Sequence, residues 1–298
     1  MDWISCQLPG GYVDEAGMIH RQAQLTPLSG QEEQFLTSNR GQARPRLVTA
    51  VLGRCLRRLG TISPVPEEVV RRLLVADRQY LLLKLRQAAF GNRVQSTIHC
   101  PWANCRHKVD IDFSIEDVPI VESVHKGPLY TMQLSPQAVG ASEVGREVTF
   151  RLPDSRDQEE VVPLLAESED AASVSLLARC IQRLGSWQPP GEDAIRALSP
   201  LARMEIEQQM EAAAPKVELI MSGDCPECGQ AFAIPFDLEG FIFREMGSNR
   251  DLLYREVHYL AYHYHWSEQE IMSMSQAKRR QYIAVLAEEI EKLNDAIW

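Results

Sequence analysis

Two short runs carry residue types that bind soft metal ions. HCPWANCRH (residues 99–107) sets Cys100 and Cys105 in a Cys-x4-Cys spacing, and DCPECG (224–229) sets Cys225 and Cys228 in the commoner Cys-x2-Cys-Gly form. Each run is half of a tetrahedral site, and together they supply four thiolates at spacings that zinc knuckles use. Four thiolates fill the coordination sphere and leave no position for water or substrate. The expectation is therefore one structural Zn2+ per chain, not a catalytic one. Reduced thiols or a disulfide pair are the competing reading; the odd count of seven cysteines speaks against a disulfide framework. An iron–sulfur cluster would need a run of closely spaced cysteines that is absent. His99 and His107 flank the first knuckle as substitute ligands, although the four cysteines suffice. Cys55 and Cys180 sit among Leu, Ile and Ala and read as core thiols; Cys6 is isolated.

The two halves can meet only if the chain positions them alike, and an internal repeat does so. VLGRCLRRLGTISPVPEEVVRRL (51–73) aligns with LLARCIQRLGSWQPPGEDAIRAL (176–198) at an offset of 125. Arg54, Cys55, Arg58, Leu59, Gly60 and Pro64 match Arg179, Cys180, Arg183, Leu184, Gly185 and Pro189. At that offset Cys100 falls on Cys225, and a gap of two places Cys105 on Cys228. The alternating Val109, Ile111, Phe113, Ile115 then fall on Phe232, Ile234, Phe236, Leu238, one exit strand written twice. Upstream, Leu25 and Gln31–Glu33 match Leu152 and Gln158–Glu160 at an offset of 127. The fold class expected is α+β: a tandem duplication of a strand–helices–zinc-knuckle–strand unit, with a C-terminal helical segment.

Each unit opens on a strand, MIHRQAQL (18–25) or REVTFRL (146–152). A helix follows, with a capping box at Ser29–Glu32 or Ser155–Gln158. A second helix stops at Gly60 or Gly185. After a proline-marked loop and a short helix, a longer helix is capped by Asp77 in the first unit and by Ser199, with Pro200 first in the helix, in the second. The segments expected are a first lobe 1–118, a joining segment 119–145 with one strand in LYTMQL, a second lobe 146–240 and helices over 241–298. In the last, a helix from about 249 to 265 precedes a Ser267–Glu270 capping box. A final helix capped by Ser275 runs through Leu293. Glu32–Glu33 and Glu159–Glu160, in first turns, favour the helix dipole.

The composition is that of a globular protein, 45% hydrophobic and 24% charged. No apolar run nears the roughly 18–20 residues of a membrane span. The N-terminus lacks the pattern of a signal peptide, so cytoplasmic synthesis is expected. Net charge is −10, yet Arg40 to Arg93 carries twelve basic residues against only Glu67, Glu68 and Asp77. Overall acidity opposes nucleic acid, so solvated arginine faces or a protein partner is the preferred reading of that block. A zinc-ribbon nucleic-acid-binding regulator is the alternative. His258, His263 and His265 match no zinc-enzyme spacing and read as part of an aromatic packing or contact face with Tyr254, Tyr259, Tyr262, Tyr264 and Trp266. There is no phosphate-binding loop, nucleophile elbow or dinucleotide fingerprint, so no enzyme is expected.

The stretches LPGGYVDEAGMIHRQAQLTPLSGQEE (8–33), DRQYLLLKLRQAAFGNRV with HCPWANC (77–105), FRLPDSRDQEE (150–160), CPECG (225–229) and EVHYLAYHYHWSEQEIMSMSQAKRRQYI (256–283) resemble a family of baseplate and tail-assembly proteins. The family occurs in T-even-type contractile phage tails and in related contractile injection systems. That resemblance implies a non-enzymatic structural or assembly protein, with other baseplate, hub or tail proteins as partners and a final place in the particle. The two extra residues in the first knuckle depart from the plainer Cys-x2-Cys.

Overall fold

A computed structural model describes residues 3–39, 41–123, 127–139, 145–247 and 250–295. Arg40, at the head of the basic block, and residues 124–126 and 140–144 of the joining segment lie outside the described residues. In the first half β1 (Ile4–Val13) and β2 (Ile19–Leu25) form a hairpin. They are followed by α1 (Gly30–Ser38), α2 (Arg44–Cys55), β3 (Leu56–Leu59), α3 (Glu67–Arg71), α4 (Val75–Phe90), β4 (Arg93–His99) and β5 (Lys108–Ser114). The joining segment holds β6 (Ile120–Val121), β7 (Tyr130–Gln133) and α5 (Pro136–Val139). The second half has β8 (Glu147–Phe150), α6 (Ser155–Leu165), α7 (Glu169–Cys180), β9 (Ile181–Leu184), α8 (Glu192–Arg196), α9 (Pro200–Ala213), β10 (Lys216–Val217), β11 (Ile220–Asp224) and β12 (Ala231–Pro235). The helices α10 (Leu238–Gly247), α11 (Arg250–Tyr264), α12 (Glu268–Met272) and α13 (Gln276–Asp295) complete an α+β chain.

Two antiparallel three-stranded sheets, β1-β2-β3 and β7-β8-β9, are built in one register. Ala23, Gln24 and Leu25 face Leu59, Arg58 and Leu56, while Val148, Thr149 and Phe150 face Leu184, Arg183 and Ile181. Ala23 and Val148, like Leu59 and Leu184, stand 125 apart. The caps keep that spacing: Ser29 with Glu32, and Asp154 with Asp157, each close a capping box. This corrects the expected box at Ser155–Gln158 and the offset of 127. The two boxes are shifted by one residue, and Ser155 is buried with its hydroxyl 2.9 Å from Thr49 Oγ1 while Asp154 takes the cap.

A second correction concerns the helix ends. α2 and α7 stop at Cys55 and Cys180, and LRRL and IQRL are strands, not last turns. Leu52, Leu56 and Leu59 fit a helical face as well as a strand. The free edge of β2, far away in sequence, decides the matter by offering hydrogen bonds. Gly60 and Gly185, with φ of +57° and +56°, instead make the turns after the strands, and Gly60 N–H donates to Gln22 O at 2.7 Å.

Asp77 is not a cap either. α4 starts at Val75 after Leu74, and the fully buried Asp77 carboxylate accepts the N–H groups of Gly10 and Gly11 at 2.7 and 2.9 Å. Those glycines occupy the irregularity in β1, a strand that Pro9-Gly10-Gly11 hides from a periodicity reading. A Cβ on Gly10 would come within 3.0 Å of Asp77 Oδ2, so the close approach requires glycine. Burial, offset in part by the two N–H groups, raises the Asp77 carboxyl from 3.8 to about 6. Its stabilising contribution is then full below 3.8 and lost as pH rises through 6. Relative to Asp77→Asn, the wild-type chain is expected to lose on the order of 2–3 kcal/mol between those pH values, read from urea midpoints.

The first sheet packs with α2 and α4, and also with Leu238, Phe241 and Ile242 of α10. The expected boundary at 240 therefore lies inside a helix that contributes to the first core. The second sheet packs with α7 and α9. Between the two cores lies a polar contact. Arg78, fully buried, donates from Nη1 to Gln158 Oε1 (2.8 Å) and from Nη2 to Pro45 O (2.7 Å); Glu159 accepts from Thr49 Oγ1 and Arg71 Nη2, both at 2.9 Å. Arg86 is likewise buried against Glu245. Much of the basic block is thus spent on internal partners rather than on a solvated face. Arg78→Ala should cost about 2–4 kcal/mol, seen as a lower urea midpoint at unchanged slope, because it strands buried acceptors.

Ser199 caps α9 with Pro200 first in the helix, and Ser267–Glu270 closes the capping box of α12. α11 spans 250–264 against the expected 249–265. Lys278 N–H donates to Ser275 Oγ at 3.4 Å at the start of α13.

Candidate metal centre

β4 and β5 form one hairpin, and β11 and β12 form another. Val94, Val109 and Phe113 on the first and Met221, Phe232 and Ile234 on the second turn apolar faces to the core, as alternation requires. At the base Phe113 and Phe236 meet edge to face at 5.6 Å. At the far end the two knuckles close over each other.

Each knuckle is a tight turn held by its own backbone. Cys100 N–H donates to His107 O (2.8 Å) and Cys105 N–H to Trp102 O (3.0 Å). In the second, Cys225 N–H donates to Gln230 O (3.0 Å) and Gly229 N–H to Cys225 O (2.8 Å). The residue after the second cysteine is left-handed in both: Arg106 at φ +53° and Gly229 at φ +68°. The two extra residues of the first knuckle have a use. Trp102, unexplained by the sequence, reaches across so that its indole N–H donates to Ala231 O at 3.1 Å. One knuckle is thereby hydrogen-bonded to the other.

The four Sγ atoms of Cys100, Cys105, Cys225 and Cys228 all lie within 4.8 Å of one another. Two cross-hairpin pairs, Cys100–Cys228 and Cys105–Cys225, stand at 3.8 Å. A tetrahedron with Zn–S bonds of about 2.3 Å has edges of about 3.8 Å, so the donor set fits zinc in spacing and chemistry. A disulfide needs about 2.05 Å, and all seven cysteines are free thiols. Cys100 and Cys225 are buried, Cys105 is half-buried and Cys228 exposed, with Ile98, Val109, Phe232 and Ile234 packed around them.

The thiols do not ionise alike. The backbone N–H of Cys228, with that of Glu227, draws Cys225 down to about 7. At Cys105 the His107 backbone pulls the same way, but burial and the neighbouring thiols carry it up to about 12. One thiol ionises more readily than its neighbours, which suits a cluster able to take a divalent cation.

The structure brings together all four expected ligands. His99 and His107 are exposed and outside the cluster. Cys55 and Cys180 are fully buried thiols, each raised to about 12 by burial. His258 and His263 stack near Tyr262 and Tyr259 on α11, and no metal-ligating group forms around them among the described residues. No helix among the described residues is long and apolar enough to cross a membrane.

Comparison with known proteins gives two family matches along the chain. The family described as T4 bacteriophage base plate protein matches residues 20–242, and a family of unknown function matches residues 246–297. No curated protein and no solved structure matches the chain. The first match covers most of the chain, including the whole second sheet and all four cysteines, and on that extent the chain belongs to the T4 bacteriophage base plate protein family.

Proposed function

We propose that this chain is a non-enzymatic structural or assembly component of a contractile tail or injection-system baseplate. In this reading one structural zinc, held by Cys100, Cys105, Cys225 and Cys228, staples two similar lobes. The observation that carries the proposal is the convergence of four thiols from two hairpins that are separated in sequence but close at matched knuckles. The ligand set has no open coordination position, which favours a staple over catalysis. The shared register of the two sheets supports an origin by tandem duplication. The segments 1–118, 119–145, 146–240 and 241–298 are proposed as its evolutionary pieces, and the junction of the two family matches near 242–246 supports the last of them. The internal ion pairs of Arg71 and Arg86 and the buried hydrogen bonds of Arg78 favour protein partners, namely baseplate, hub or tail proteins, over a nucleic-acid role.

Quantitative mass spectrometry of purified particles, alongside assembly with the gene deleted, tests the role. Loss of baseplates on deletion is expected. Retention in mature particles marks a resident component, and absence from them an assembly factor. Normal particles in the deletion strain would remove both versions.

A further inference from the structure

The short-helix, three-residue turn, long-helix device occurs three times: α3–α4, α8–α9 and α12–α13. Val70, Ile195 and Ile271 fill the same buried position in the short helix. Arg78, Arg203 and Arg279 fill the fourth position of the long one. Two of the three are docked in one way on a capped helix start. In the first, Leu74 makes a β-bridge to Asp154, the N-cap of α6, and Arg78 binds Gln158, the fourth residue of α6. In the other, Ser275 makes a β-bridge to Ser29, the N-cap of α1, and Arg279 binds Glu33, the fourth residue of α1, through both carboxylate oxygens at 3.0 and 2.9 Å. The residue ending each short helix faces the same acceptor. Arg71 pairs with Glu159 at 2.9 Å, and Met272 lies against Gly30.

The third copy has no such acceptor among the described residues. Ser199, at the position of Leu74 and Ser275, makes no bridge. Arg196, matching Arg71 and Met272, is 53% exposed and paired only with Glu192 of its own helix. Pro200 and Met204 are exposed, whereas Gln276, matching Pro200, is buried. Arg203 turns aside to Asp170, an exposed carboxylate whose ion pair is worth little and easily exchanged.

We infer that the α8–α9 face is a docking surface for another protein that presents a helix start of the α1 and α6 kind. That start has an extended Ser or Asp N-cap, with Glu or Gln at the fourth helical position. The inference goes beyond the zinc reading and does not depend on it. A second copy of this chain is the poorer occupant, because its own α1 and α6 are already covered by α12–α13 and α3–α4. Among the described residues three devices meet two such acceptors, and the third face suits a part that joins a larger assembly.

The probe is a fluorescent, lactam-stapled peptide of residues 26–39, the start of α1, titrated onto the full chain. Saturable binding on the order of 10–100 µM is expected. Arg203→Glu should weaken it at least about tenfold, and a peptide carrying Glu33→Lys should recover affinity for that variant. Arg196→Glu, at an exposed site, is a second variant with the same expected loss if Arg203→Glu does not fold. Failure to saturate by about 1 mM, or binding indifferent to both variants, overturns the inference. So does concentration-dependent self-association of the unmodified chain in sedimentation that is lost on either substitution, since the occupant would then be a second copy.

Discussion

Replacing Cys225 by Ser is expected to remove the one zinc proposed for the chain and to lower its melting temperature by roughly 10 °C or more. The size follows from what else holds the two hairpins. Each is a lone pair of strands, which is marginal in water. They share Ile98, Val109, Phe232 and Ile234, the Phe113–Phe236 contact and the Trp102–Ala231 hydrogen bond. Without a cation, four thiols within 4.8 Å of one another leave either poorly partnered thiols or thiolates repelling one another. Metal analysis should read about one zinc in the wild-type chain and none in Cys225→Ser or Cys100→Ser. Cys55→Ala is the control: its thiol is buried in the first core, so it should cost stability but keep the zinc. A strong chelator should produce the melting behaviour of Cys225→Ser, since Cys228 is exposed. A metal-free chain that melts like the loaded one would sink the staple.

The four-cysteine cluster was legible in the sequence because its information is local: residue type, spacing, and a match at an offset of 125 that points to the second half. The strand after each knuckle, the Ser29 and Ser199 caps and the Ser267 box were legible for the same reason. What sequence missed is decided at a distance. β3 and β9 look like last helical turns until β2 and β8 offer an edge. β1 is interrupted by Pro9, Gly10 and Gly11, and the N–H groups of the two glycines find their acceptor at Asp77, 66 positions from Gly11. The charge of the Arg40–Arg93 block is plain, but the composition of that block gives no hint that Arg78 and Arg86 turn inward, because their partners Gln158 and Glu245 lie in other elements. Trp102 could have been found by asking why an indole stands in a knuckle turn: its N–H needs an acceptor, and it finds one at Ala231 O, where β12 leaves the opposite knuckle.

Arg279→Met is expected to destabilise the attachment of the C-terminal helices by about 3–5 kcal/mol. Arg279 is fully buried between α13, α11 and α1. It donates to both oxygens of Glu33, to Glu256 Oε2 at 2.8 Å and to Met274 O at 2.8 Å. Removing it leaves two carboxylates, each under a tenth exposed, with only the largely exposed Arg280, 3.5 Å from Glu256 Oε1, to offset them. Burial already lifts Glu33 above its ordinary 4.5, with Arg279 holding it down. In the variant that restraint is gone and the carboxyl rises further. A carboxyl raised in the folded state stabilises below its unfolded value and loses that contribution as pH rises. The deficit of Arg279→Met should therefore be largest near neutrality and shrink as pH falls toward 4.5, and adding Glu33→Gln and Glu256→Gln should recover much of it at neutral pH. Because Leu253, Leu260, Ile271 and Met272 form a small core of their own, the loss should show first as faster amide exchange across α11–α13 while the sheets stay protected. Uniform loss of protection over both lobes would instead mean that Arg279 supports the whole fold. A deficit that does not change with pH would mean that the stranded carboxylates are not its cause.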